Sequence, residues 1–237
     1  MSSPTNWMKK EYDDLVKKGF DWKPPVIGGP STGRAIIDDK ERIMLCANNY
    51  LSMSNHPKVK QAAIDAVKSH GAGSGSVRPI AGNMDIHNEL EHTIARFKNR
   101  EAALYYQTGF AVNSGLIPQL AGKNDSIISD QLNHGSIIDG VRLSGVKKEN
   151  RTIYAHNDMG ELEDRLKEAT KKSEKTLVIS DGVFSMDGDI APLDEITKLA
   201  REYGAMTYID DCHGAVSYTH LRAHETVLDL VCRLLLE

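Results

Sequence analysis

From residue 102 onward the chain alternates short apolar runs with longer amphipathic ones, and this rhythm restricts the fold more than any other feature. AALYY, SIISD, TIYAH, TLVIS and MTYID read as strands. GFAVNSGLIPQLAG, GSIIDGVRLSG, DMGELEDRLKEATKK and APLDEITKLAREYG read as helices between them, with Pro192 near the start of the last. Strands joined through helices run parallel, because a hairpin cannot connect them. The pattern therefore predicts an α/β fold with a mostly parallel sheet covered on both faces. Ligands of such sheets sit at the carboxyl ends of strands. That rule selects YYQTGF, SDQLNHGS and IDDCH.

The N-terminal part follows a different pattern. Residues 6–18 suit an amphipathic helix, DWKPPVIGGPSTG a loop, and RAIIDDKERIMLCA a hairpin. HPKVKQAAIDAVKSHG predicts a helix with Pro57 in its first turn. GAGSGSVRPIAGNM reads as loop, and DIHNELEHTIARFKN as a helix with Asp85 as N-cap.

Charge and composition exclude several partners. The net charge is −4 with both signs interspersed, so no nucleic-acid or membrane-surface patch is expected. No apolar run approaches the roughly 18 residues of a membrane span. The polar start does not resemble a secretory signal, and Cys46, Cys212 and Cys232 form no spacing motif. Reduced thiols in a cytoplasmic protein are the expectation.

Three strand ends carry candidate chemistry. In IDDCH, Asp210 closes a strand and His213 follows three residues on. The pair suits a nitrogen heterocycle, or a metal, or simply a polar strand end; no further ligand cluster favours the metal. In YYQTGF, Gly109 and Phe110 open a helix whose N–H groups favour a phosphate, against the alternative of a plain turn. In SDQLNHGS, His134 is either a ring that stacks on a planar ligand or a helix cap. In DGVFSMDGD, Ser185 is a hydroxyl donor or part of a tight turn. GAGSGS lacks the dinucleotide spacing and follows a helix. Taken together, the candidates suit a phosphorylated aromatic cofactor.

The segments CANNYL, SHGAGSGSVRPIAG, DIHNELE, LNHGSIIDGVRL, HNDMGELEDRLKEA, DGVFSMDGDIAPL and IDDCHGA, in that order, resemble the α-oxoamine synthases, fold-type I pyridoxal-phosphate enzymes. The resemblance covers roughly residues 7–215 and is strongest to the glycine C-acetyltransferase branch. It implies a three-layer sandwich: an N-terminal helix and hairpin over 1–45, then an incomplete cofactor-binding large domain over 46–215. It also implies pyridoxal 5'-phosphate as cofactor, glycine and acetyl-CoA as substrates, and a homodimer. By motif, Gly109 and Phe110 would hold the phosphate, and His134 would stack on the ring. Asp210 would pair with the ring nitrogen, and Ser185 and His213 would face the phenolic oxygen. Asn49 would touch the amino acid. His134, Asp210 and His213 are the implied catalytic groups. Sibling activities share these motifs: 8-amino-7-oxononanoate synthase, 5-aminolevulinate synthase and serine palmitoyltransferase. A non-catalytic cofactor-fold binding protein is the alternative from another class.

One implied residue has no counterpart. The family's Schiff-base lysine follows the Asp-x-x-His strand, whereas VSYTHLRAHETVLDLVCRLLLE, residues 216–237, contains no lysine. Back-translated, this stretch resembles a sequencing-library adapter, with Val227, Leu228 and Asp229 in place of a sample index. The expectation is that residues 216–237 are not native and that the chain as written is catalytically incomplete.

Overall fold

The computed structural model describes residues 3–215. The reading of residues 216–237 falls outside them. The chain divides into two units after Gly82.

In the first unit, α1 spans Asn6–Lys17, and β1 (Arg34–Ile37) pairs antiparallel with β2 (Lys40–Ile43). Asp38 and Asp39 form the turn, both at positive φ, as a two-residue hairpin of this hand requires. α2 spans Pro57–His70 with Pro57 at its first position. His56 caps it: Nδ1 accepts the Lys58 N–H at 3.2 Å.

The second unit holds the sheet. Helix α3 is Asp85–Phe97 and α4 is Gly109–Leu120. Then β3 (Ser126–Asp130), α5 (Gly135–Leu143), β4 (Arg151–Tyr154), α6 (Met159–Ala169), β5 (Thr176–Asp181), α7 (Leu193–Glu202) and β6 (Met206–Asp210) follow in strict alternation. The strand order is β4-β3-β5-β6 and every pairing is parallel.

Successive strand residues point to opposite faces, and that period builds two cores. Ile127, Leu177, Ile179 and Tyr208 pack with Ile117 of α4 and Ile137 of α5. Ile128 and Val178 pack with Leu162 and Leu166 of α6 and Ile196 of α7. Helices thus cover both faces, giving the three layers. Strand β3 leads to a helix on one face and β5 to a helix on the other. Their neighbouring carboxyl ends flank the crevice where such sheets take ligands.

Two local expectations fail. AALYY is not a strand: residues 102–106 join no ladder among the described residues, and the Tyr105 N–H goes to Glu91 Oε1 at 2.8 Å. An apolar run becomes a strand only where a ladder partner accepts it. The N-cap of α3 is Met84, not Asp85; His87 Nδ1 accepts the Met84 N–H at 3.0 Å, which moves the helix start one residue earlier. Among the described residues, no helix is long and apolar enough to cross a membrane.

Candidate active site

Asp210 closes β6, and its carboxylate is held from two directions. Asn113 Nδ2 donates to Oδ2 at 2.8 Å, and the Cys212 N–H donates to Oδ1 at 3.1 Å. The same Nδ2 donates to Ser136 Oγ at 2.8 Å. Asn113 Oδ1 accepts from the Tyr208 hydroxyl at 2.6 Å. A phenol that donates there fixes the amide with its NH₂ turned toward the acid. Burial, with the charge of Asp210 adding to it, raises the Tyr208 pKa, so the hydroxyl keeps its proton. Each Asp210 oxygen retains a lone pair for another donor.

Asp181 ends β5, opposite Asp210 in the register. Its Oδ2 accepts the His134 N–H at 2.8 Å, and its own N–H donates to Asn133 Oδ1 at 2.7 Å. Burial, opposed by that N–H and helped by the Asp210 charge, pushes the Asp181 carboxyl up to about 6. Two acids thus stand on adjacent strand ends in different surroundings. Asp210 takes donors from Asn113 and Cys212, while Asp181 takes the His134 N–H and has its carboxyl raised chiefly by burial.

His134 caps α5. Its Nδ1 accepts the Ser136 N–H at 3.2 Å and lies 2.6 Å from Ser136 Oγ. Accepting at Nδ1 places the neutral ring's proton on Nε2. The cap reading of His134 is thus observed, and it uses one edge of an otherwise exposed ring.

Helix α4 begins at Gly109. Thr108 Oγ1 accepts the Ala111 N–H at 3.0 Å, and Thr108 O accepts the Val112 N–H at 3.1 Å. The N–H groups of Gly109 and Phe110 precede the helical ladder, at the positive end of its dipole. A Cβ on Gly109 would lie 3.5 Å from Cys212 Sγ. The start of α4 therefore stands against the turn that follows β6.

Ser185 is exposed on the segment 182–191, where Val183 and Ile190 form an antiparallel bridge. This segment leaves the site directly: the Gly182 N–H donates to Asp210 O at 2.8 Å. His213 is half-buried in the turn beyond Asp210. The structure thus brings the Gly109–Phe110 helix start, His134, Asp210 and His213 to one edge of the sheet, with Ser185 on an adjoining loop. Asn49 belongs to the first unit. There Nδ2 donates to Ser31 O at 2.8 Å and Ser54 Oγ at 2.7 Å, and Oδ1 accepts the Ser54 N–H at 3.2 Å, so its amide closes a local turn.

The profile of the aminotransferase class I and II proteins matches residues 40–236, most of the chain. The chain belongs to that family. Within it the chain is a member of the α-oxoamine synthases. It is 51% identical over 209 residues to the 8-amino-7-oxononanoate synthase of Alkaliphilus metalliredigens, covering 88% of this chain and 52% of that one. Serine palmitoyltransferase from S. paucimobilis, holding PLP, superposes with a TM-score of 0.78 at 31% identity, over 86% of this chain and 51% of the other. The Sphingomonas wittichii enzyme does so with 0.78 and 31%, over 87% and 51%. The chain spans about half the length of the relatives it matches.

The cofactor of this family is pyridoxal phosphate, and the donors present fit it. The start of α4 offers two N–H groups and a positive dipole to a phosphate. Asp210 offers an oriented carboxylate to a protonated ring nitrogen. Sequence reasoning missed the residues that aim this acid: Asn113, Tyr208 and Ser136. Asn113 lies one helical turn beyond Gly109 and Tyr208 two residues before Asp210, on the same faces as the predicted groups. That spacing was the available signal. Asp181 was also missed, though it ends a strand by the same rule that selected Asp210.

Proposed function

We propose that the whole protein is an α-oxoamine synthase of the 8-amino-7-oxononanoate synthase type, acting as a homodimer. The observation that carries the reading is Asp210, fixed at the tip of β6 by Asn113 and Cys212 beside the start of α4. Carbon counting on the relatives' product then supports a substrate pair. The product named for the relatives is a nine-carbon acid with a ketone at the seventh carbon and an amine at the eighth. The last two carbons and the nitrogen are what alanine retains after losing carbon dioxide. The first seven carbons are a pimeloyl group, delivered as its CoA thioester. Relatives near half identity support this over glycine and acetyl-CoA. The motifs that favoured glycine and acetyl-CoA lie largely on cofactor-facing loops, and such contacts do not measure acyl length.

When bound, pyridoxal phosphate supplies an electron sink for charge that develops at the α-carbon of the amino acid. The residues of this chain set that sink in place. Gly109 and Phe110 hold the phosphate through their N–H groups. Asp210 holds a proton on the ring nitrogen, and Asn113 keeps the acid aimed there. His134, its Nδ1 tied to Ser136, presents a ring of fixed plane to stack on the pyridine. Ser185 and His213, on the loops at this edge, would face the phenolic oxygen. Charge stabilisation of this preorganised kind accounts for the largest share of many enzymatic rate gains.

The test is a substrate matrix. Offered alanine or glycine against pimeloyl-CoA or acetyl-CoA, the whole protein should release CoA fastest from alanine and pimeloyl-CoA. A preference for glycine and acetyl-CoA would overturn the assignment. Sedimentation of the same protein checks the dimer.

A further inference from the structure

Outside this site, one imidazole is engaged at both nitrogens. His156 follows β4, and its Nδ1 lies 3.0 Å from Asp130 Oδ1 at the end of β3. Its Nε2 lies 3.2 Å from Asp189 Oδ2 in the segment 182–191. The ring also stands edge-on to Phe184 of that segment, at 4.4 Å and 88°. The Asp130 side chain is fully buried and accepts two backbone N–H groups besides, from Leu132 at 2.8 Å and Asn157 at 3.1 Å.

A neutral imidazole has one donor and one acceptor. Between two carboxylates it would turn a lone pair on one of them. The doubly protonated ring donates to both. Turning the Asn157 amide, whose buried Oδ1 otherwise has no partner among the described residues, adds an acceptor beside Nε2, 3.1 Å away. The other titratable groups lining the open groove of about 640 Å³ beside His156 are acids, Asp158 before α6 and Glu195 of α7, and the Tyr154 phenol that interacts with Asp130 is held protonated by burial and that charge. No lysine or arginine is among the groove's lining residues.

We infer that His156 is a positioning residue, a charged strap that ties the Ser185-bearing segment to the end of β3 and makes the order of that segment depend on pH. Phe184 is buried under the ring, and Ser185 is the next residue. Three bonds define the segment: Phe184 N–H to Asp189 O at 2.9 Å, Gly188 N–H to Phe184 O at 2.8 Å, and Ala191 N–H to Gly182 O at 3.1 Å. Burial opposes the charge on His156, but Asp130 and then Asp189 outweigh it and raise the pKa above the ordinary value. A raised value means the strap is fully made below the ordinary pKa of about 6.5 and is lost as pH rises through the higher, folded value. The link to catalysis rests on the proposed role of Ser185; the strap itself does not.

Amide exchange of the full chain, corrected for intrinsic rates, tests this between about pH 5.5 and about pH 9, the range that spans imidazole titration. Protection of the Phe184, Gly188 and Ala191 amides should fall about three- to tenfold as His156 deprotonates. His156→Gln should show the low value at every pH. Asp189→Asn, a change at an exposed position, should lower protection at acid pH and shift the midpoint down. Protection that ignores pH, or that survives both substitutions, would overturn the strap, as would a His156 ring titrating at or below the ordinary value. Pyridoxal phosphate affinity, followed separately by dialysis, would fail in every variant alike if the proposed function were wrong, and the amides would then decide alone.

Discussion

Asn113 of α4 donates to Asp210 of β6 across 2.8 Å, so a helix on one face of the sheet aims the acid at the end of an outer strand. Both N–H donors of the amide are committed in this arrangement. Its oxygen takes the Tyr208 hydroxyl, and its two N–H donors go to Asp210 and Ser136.

Asn113→Ala should therefore release three groups at once. Leaving buried partners unsatisfied costs on the order of 1–3 kcal/mol, read as a lower urea midpoint at unchanged slope. Pyridoxal phosphate affinity should fall in the same variant. Asn113→Asp should be worse, because it sets a second carboxylate against Asp210.

Gly140 of α5 should not tolerate a methyl group. A Cβ there would stand closer than contact distance to the Asn113 carbonyl oxygen and 2.9 Å from Ile117 Cδ1. Gly140→Ala should cost about 1–3 kcal/mol by overpacking. Gly135→Ala is the control: nothing lies within 4 Å, and its melting temperature should hold or rise.

Asp181 should leave a mark on the pH dependence of stability. Its folded value, pushed up to about 6 by burial, exceeds its unfolded value. The folded state then holds its proton where the unfolded state has released it. Stability from this group is present below about pH 4 and is lost as pH rises to about 6. Asp181→Asn, which keeps an acceptor for the His134 N–H, should be more stable than the parent above pH 7 by on the order of 1 kcal/mol. Equilibrium unfolding across pH would show the two curves diverging there.

Cys212 should be a poor nucleophile although solvent reaches it. Partial burial and the carboxylate of Asp210 push its thiol up to about 12. Iodoacetamide at pH 8 should label the exposed Cys46 well before Cys212, as peptide mass spectrometry resolves. The thiolate is the reactive form.

The adapter reading of residues 216–237 has a direct check. A genomic read across codon 216 should diverge from VSYTHLRAHET.

The sheet was legible because each strand carries a short apolar run and β3, β4 and β5 are each followed by a helix with an apolar stripe. That pattern located β3 to β6 with His134 and Asp210 at their ends, whereas Gly109 was selected beyond AALYY, which is not a strand. Residues 102–106 show the limit: AALYY has strand composition, but pairing depends on a neighbour that local sequence does not reveal. Asn113 shows another. A polar residue within a helix reads as solvated or as core, and only the fold tells that its amide meets an acid 97 residues away. The substrate was the least legible part, since the recognisable motifs serve the cofactor.

The contact at Gly140 has a consequence for engineering. Transplanting this carboxylate arrangement into another scaffold by copying Asp210, Asn113 and Tyr208 would carry over the donors and leave out what lets them meet. The graft must also include a bare backbone position one helix away, which no inventory of functional side chains would contain.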